Sequence, residues 1–320
     1  MNQLEELKKV TTIVADTSDF KSIAQYLPQD ATTNPTLIYQ GCQNSDYLPL
    51  VDEAIVYAKQ HATSTTDILP LALDKTFVNF GLEILKQIPG RVSIEIDARL
   101  SFDINKSVDK AKAIIALFEA HHIDRSRILI KLASTWEGIM AAKKLEKENI
   151  KCNMTLLFSL PQAIACATVK ATLISPFVGR ILDWYKKKEN KDQYLPHEDP
   201  GVLSVTQIYN YYKKFGYSTQ IMGASFRNKE EILQLAGCDL LTIAPKFLEE
   251  LKNTLMPVEK KLNTDTAKTS SMEKIKIDEP TFRYLLNQDG MATEKLSEGI
   301  RIFVSDITKL EKEIEKRIHI

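Results

Sequence analysis

The run "ILIKLA" places an ammonium group, Lys131, between Ile130 and Leu132. A lysine held in apolar surroundings has two options. It can pair with a carboxylate, or it can give up its proton and become an amine nucleophile. Such an amine attacks a ketone or aldehyde to form a Schiff base, whose iminium draws in electrons as the adjacent carbon–carbon bond breaks. That chemistry needs acids and bases nearby. Asp16, ending "TTIVAD", and Glu95, inside "RVSIEID", are the candidate carboxylates. Asn34, Asn153, Thr155, Ser175 and Ser225 supply amides and hydroxyls in comparable runs, and Arg180 and Arg227 follow two of those runs closely. Arginines on late loops suit a phosphate group, which they can grip with two donors.

Each of these residues also has a plain structural reading. Lys131 could snorkel to water or guard a strand edge. Asp16 could cap the following helix, and Asn34, before Pro35, could be a turn residue. Glu95 could sit in a buried ion pair with Arg91 or Arg99. Thr155 is an ordinary strand residue, and the two arginines could make rim salt bridges. The conjunction favours chemistry, because the polar residues fall at the ends of consecutive strand-like runs.

Those runs define the elements that must position the site. Eight short β-branched stretches, from "TTIVAD" to "DLLTIAP", alternate with helix-like segments. Eight such units predict a (β/α)8 TIM barrel, which builds its site at the C-terminal ends of its strands. A doubly wound open sheet is the alternative. By the period of two, Leu129, Lys131 and Ala133 share one face of their strand and point into the barrel. Ile128, Ile130 and Leu132 face outward. The second connection carries two extra helices, "YLPLVDEAIVYAKQ" and "DKTFVNFGLEILKQI". "STWEGIMAAKKLEKEN" opens with Ser134 and has Glu137 three residues on, which predicts a capping box. "EKKLNTDTAKTSSMEK" reads as a surface loop. The chain is expected to form a single domain over 1–320, with 291–318 as a C-terminal helix. Leu296, Ile300, Phe303, Ile307, Leu310 and Ile314 form a narrow apolar seam on that helix. It docks on the barrel or on a partner subunit.

Composition sets the bounds. The 320 residues are 44% hydrophobic, enough for a large core. Forty-two basic and 42 acidic residues cancel, so no overall field attracts nucleic acid or a membrane surface. The start, "MNQLEELKKV", has no secretory apolar segment, and no run reaches membrane-spanning length. Cys42, Cys152, Cys166 and Cys238 form no C-x-x-C pair. The adjacent His121 and His122 suit a helix end better than a metal site. The Gly-rich nucleotide motifs are absent. No metal or cofactor is therefore expected, and a reducing compartment, the cytoplasm, fits best.

Several segments then carry a resemblance. "DATTNPTLI" and "ILIKLASTWEGI" are similar to the two characteristic segments of the transaldolase family. "IVADT", "SIEIDARLS", "CNMTLLFS", "LISPFVGRILDWY" and "MGASFRN" resemble further family segments in the same order. The resemblance implies a class I Schiff-base transaldolase of the pentose phosphate pathway, often a cytoplasmic homodimer on a (β/α)8 barrel. It implies transfer of a dihydroxyacetone unit from sedoheptulose 7-phosphate to glyceraldehyde 3-phosphate, giving erythrose 4-phosphate and fructose 6-phosphate. Lys131 then matches the Schiff-base lysine, and Asp16 the acid/base for cleavage at the C4 hydroxyl. Glu95, with a water held by Thr155, handles protons as the Schiff base forms and hydrolyses. Asn34, Asn153 and Ser175 match groups that bind the dihydroxyacetone hydroxyls. Arg180, Ser225 and Arg227 match the phosphate pocket. Phe177, beside the site, offers no acidic proton and is expected to keep the enamine from being protonated and released.

Overall fold

Eight parallel strands close on themselves in sequence order in a computed structural model, which describes residues 1–318. They are β1 (Thr12–Asp16), β2 (Asp30–Thr32), β3 (Val92–Glu95), β4 (Ile128–Ala133), β5 (Lys151–Leu157), β6 (Leu173–Pro176), β7 (Gln220–Gly223) and β8 (Leu240–Ile243). β8 pairs back onto β1. Helices fill the connections, as the eight-fold alternation predicts, and the open-sheet alternative is set aside. The second connection carries two long helices, Leu48–His61 and Ile68–Leu85.

The two faces of β4 separate as its period requires. Leu129 packs inside the barrel with Val14, Leu173, Met222 and Leu240. Ile128, Ile130 and Leu132 join the larger core between strands and helices. All six residues of β4 are buried, so no water-facing edge is left for Lys131 to guard. Snorkelling is excluded for the same reason.

The capping box expected at Ser134 is not formed. The helix Trp136–Lys147 starts one residue later, with Thr135 accepting the Gly138 N–H. Ser134 donates its hydroxyl to the Thr155 carbonyl on β5 (2.8 Å), because it still follows the strand. Glu137 pairs with Arg283 instead. A capping box does open the helix after β5, between Ser159 and Gln162. The polar stretch near residue 265 contains one short helix, Thr264–Lys268.

The C-terminal helix, Gly290–Ile318, spans the mouth of the barrel. Its apolar seam is buried within this chain: Leu296, Ile300, Phe303, Ile307, Leu310 and Ile314 are all covered. The rest of this chain covers the seam. Two features fix its approach. β5 shifts register between Met154 and Leu157, and Leu156 takes a left-handed φ of 51°. A bulge of this kind re-aims side chains at a barrel rim. Leu156 then meets the helix at Gly299, where a Cβ would lie 2.5 Å from Leu156 Cδ2. Glycine there lets helix and strand close up, one turn before Phe303.

Candidate active site

Strand register builds the centre of the site. Glu95 on β3 is the register partner of Lys131 on β4, and Lys131 in turn partners Asn153 on β5. Lys131 is 5% exposed, so its charge must be answered by protein. Glu95 Oε2 stands 3.3 Å from Lys131 Nζ, and Nζ donates to the Thr33 carbonyl at 2.9 Å. The ion pair expected for Glu95 exists, but its partner is not Arg91 or Arg99. Arg91 grips Asp30 on β2, and Arg99 grips Asp97 and Glu311. Both arginines lie outside the strand layer that holds Glu95.

Asp16 ends β1 opposite Thr32. Thr32 donates its hydroxyl to Asp16 Oδ1 (2.8 Å) and lies 2.6 Å from the Thr242 hydroxyl on β8. Asp16 therefore caps no helix. Burial raises its carboxyl above the ordinary value; Lys131, Thr32 and Arg180 oppose that rise without cancelling it. Burial raises Glu95 as well, again against Lys131. Two carboxyls that hold protons more tightly than usual flank one lysine.

Thr155 Oγ1 is buried without a hydrogen-bond partner, and Glu95 Oε2 receives no aligned donor. Buried oxygens are rarely left this way, and a bound water or substrate group would satisfy them. Asn34 does serve as a cap: its Oδ1 accepts the Leu37 N–H at 2.9 Å, and Pro35 opens the helix. The residue still lines the pocket. Ser175 donates to Asn153 Oδ1 (2.5 Å), and Asn153 Nδ2 donates to Ser93 (3.0 Å). Asn153 thus sits beneath the floor and Ser175 forms it.

The far wall is cationic and aromatic. Arg180, on the helix Gly179–Glu189, lies over the rings of Phe177 and Phe303. Its Nη1 is buried and unpartnered. Desolvation, then the neighbouring Arg227, lowers its guanidinium pKa from the usual value, although it stays cationic. Ser225 follows β7 with a left-handed φ of 63°. Arg227 lies further out, paired with Asp183 at 2.8 Å as its salt-bridge alternative predicts. Its Nη1 is 3.5 Å from Ser225 Oγ.

Eight of the expected residues line one pocket at the C-terminal ends of the strands: Asp16, Asn34, Lys131, Thr155, Ser175, Phe177, Arg180 and Ser225. Glu95, Asn153 and Arg227 stand just behind or beside it. The family model for Transaldolase/Fructose-6-phosphate aldolase matches residues 13–314. The chain belongs to that family. A transaldolase from Protochlamydia amoebophila (strain UWE25) is 62% identical over 311 residues, covering 97% of this chain and 96% of its own. A probable transaldolase from Drosophila melanogaster is 58% identical over 316 residues, covering 98% and 96%. A transaldolase from Rattus norvegicus is 57% identical over 316 residues, covering 98% and 94%.

Within this member of the family, five lining residues escaped sequence reasoning: Thr32, Met222, Ala224, Thr242 and Phe303. Thr32 and Thr242 look like ordinary strand threonines, and they meet only because β1 lies between β2 and β8. Phe303 reads as one more seam residue. Its place over Arg180 follows from the close contact at Gly299, which no local pattern reveals. The histidines meet the expectation of a helix end: His121 follows the helix Ile104–Glu119 and lies 2.7 Å from Lys75 Nζ.

Proposed function

We propose that Lys131 is the Schiff-base nucleophile of a transaldolase reaction. Transaldolase function, a transferase activity, follows from 57–62% identity with transaldolases over nearly the full chain. The observation that best supports the role of Lys131 is its burial inside the barrel, 3.3 Å from Glu95, in the pocket at the strand ends.

The steps balance as follows. The Lys131 amine attacks the ketone carbon of the donor sugar, and the carbinolamine loses water to give an iminium. Glu95, through a water on Thr155, supplies and removes the protons; the Thr155 Oγ1 without a partner supports this. Asp16 takes the proton of the C4 hydroxyl. The C3–C4 bond breaks, its electrons enter the iminium, and an aldehyde leaves. The enamine that remains attacks a second aldehyde, and water releases the product ketose. Burial raises the Asp16 carboxyl above its ordinary value, which makes it a better proton acceptor. Asn34, Asn153 and Ser175 hold the dihydroxyacetone hydroxyls. Arg180, Ser225 and Arg227 receive the phosphate, a reading supported by the unpartnered Nη1 of Arg180. Sedoheptulose 7-phosphate and fructose 6-phosphate are the donors, with glyceraldehyde 3-phosphate and erythrose 4-phosphate as acceptors.

The proposal extends to setting. Residues 1–320 act as one barrel domain, in a cytoplasmic homodimer. Because the C-terminal seam is consumed within the chain, the dimer contact uses another surface. Among the described residues no helix is long and apolar enough to cross a membrane.

Borohydride reduction in the presence of fructose 6-phosphate tests the core of the reading. A mass gain on the peptide holding Lys131 is expected, and Lys131→Ala should abolish both trapping and turnover. Retained turnover in that variant overturns the mechanism.

A further inference from the structure

Glu231 lies on the short helix Lys229–Gln234 after β7 and is 1% exposed. Its Oε2 accepts the backbone N–H of Arg227 at 2.6 Å. Its Oε1 is buried and receives no hydrogen bond. Asp199, 4% exposed, stands beside it on the wall of the same cavity. Asp199 Oδ1 already accepts the N–H groups of Gly201 (2.8 Å) and Val202 (3.2 Å), capping the helix Pro200–Phe215. Two carboxyl groups can bond to each other only if one of them carries a proton. A proton on Glu231 Oε1, given to Asp199, would account for the oxygen that no other donor reaches.

This pair joins the segments that carry the cationic wall. The Val178 N–H donates to the Ala224 carbonyl and the Gly179 N–H to the Ser225 carbonyl, both at 2.8 Å. A Cβ on Gly179 would lie 2.5 Å from Arg227 Cγ, and one on Gly201 2.2 Å from the Val178 carbonyl oxygen. The corner before Arg180, the loop of Ser225 and Arg227, and the capped helix start are therefore packed without slack.

We infer that Glu231, by sharing one proton with Asp199, is a positioning residue that holds Arg227 and Ser225 in place for the phosphate of the substrate. The inference rests on the phosphate role proposed above for Arg227. Burial, with Asp199 adding to it, pushes the Glu231 carboxyl up to about 8, so the proton is present at neutral pH. The surrounding charged and titratable groups are Arg227 on the same loop, Lys186 on the helix Gly179–Glu189, and Tyr194 and Glu230 at the cavity wall. His197 and Glu198 lie on the adjoining turn, and Lys229 pairs with Glu250 on the helix Pro245–Asn253. Loss of the shared proton sets two buried carboxylates against each other and loosens the loop.

The test compares kcat/KM for glyceraldehyde 3-phosphate with that for glyceraldehyde across about pH 7 to 9.5, where the substrate phosphate is already fully ionised. The ratio cancels changes in the shared carbon–carbon chemistry, which act on both substrates. In the unaltered enzyme the ratio should fall as pH passes about 8, through a rise in KM for the phosphorylated substrate. Glu231→Gln keeps the acceptor for Arg227 and donates permanently to Asp199, so its ratio should stay level. Glu231→Ala should lower the ratio about tenfold at neutral pH, the effect of one lost hydrogen bond to the loop. A level ratio in the unaltered enzyme, or an alkaline fall that persists in Glu231→Gln, overturns the inference, and the Gln variant decides even if the Ala variant fails to fold. Arg227→Ala separates the two readings. If it leaves the ratio unchanged, the phosphate role of Arg227 fails; if it lowers the ratio while Glu231→Gln behaves like the unaltered enzyme, only the role of Glu231 fails.

Discussion

Glu95 and Lys131 face each other across adjacent parallel strands, and their charged ends meet 3.3 Å apart in a buried layer of the barrel. Each is the other's means of being charged there. Removing one partner of a buried pair strands the other, at a typical cost of about 3–5 kcal/mol. Glu95→Ala should therefore lower the unfolding free energy by about 3 kcal/mol. Replacing both residues with apolar ones of similar volume should recover most of that loss. Denaturant titration of the single and double variants checks the prediction, and equal losses in both would contradict it.

Glu95→Gln keeps the shape and removes the proposed base. Schiff-base formation should slow by about 10²–10⁴-fold, the usual worth of a placed general base. The rate at which borohydride captures the adduct reads this directly. An unchanged capture rate would assign proton handling to another group.

Asp16 carries a pH prediction. Its folded-state pKa is raised by burial, and in the role proposed for it the carboxyl must be ionised to accept the C4 proton. The acid limb of the kcat profile should lie at higher pH than an ordinary aspartate would give. For stability the sign is opposite: the native state holds this proton more tightly than the unfolded chain. Its contribution is fully present below the unfolded pKa and is lost as pH rises through the folded one. Asp16→Asn should thus raise the melting temperature at neutral pH while lowering turnover by about 10²–10⁴-fold. The bound donor should accumulate as a trappable adduct. A variant that is no more stable at pH 7 would remove the desolvation argument.

Phe177 packs against Phe158 and under the guanidinium of Arg180. It places a ring without an acidic proton at the pocket wall. Phe177→Tyr introduces such a proton and should increase release of free dihydroxyacetone from fructose 6-phosphate relative to transfer. Product ratios that stay constant would show that enamine lifetime is governed elsewhere.

Phe303 is 1% exposed and backs the same guanidinium from the C-terminal helix. Phe303→Ala should cost about 3–5 kcal/mol of stability through the cavity it leaves. It should also raise KM for phosphorylated acceptors more than for unphosphorylated ones. Calorimetry and paired kinetics measure the two effects. A large stability loss with no change in phosphate preference would confine Phe303 to packing.

Reading the chain without coordinates went furthest where side-chain period and strand order coincide. Lys131 and Leu129 fall on the inner face because β4 alternates strictly, and Asp16, Glu95 and Thr155 follow because a barrel aligns its strand ends. Local signals failed where a choice between neighbours depended on the third dimension. Thr135 caps a helix in place of Ser134 because the Ser134 hydroxyl finds a carbonyl on β5. Glu95 pairs with Lys131 and not with the nearer arginines, since pairing runs across strands and not along them. Thr32 and Thr242, 210 positions apart, form one hydroxyl pair that no spacing rule connects.

Phe303 stands after all eight strands in chain order, yet it walls the pocket they build. Barrel closure and completion of the site are thus separate events as the polypeptide emerges from its N-terminal end. A chain that has delivered β8 contains Lys131, Glu95, Arg180 and Phe177, but not the Phe303 ring that completes the wall. If Lys131 and Arg180 have the roles proposed for them, amine and phosphate grip mature at different moments, and an unfinished chain would lack part of its selectivity.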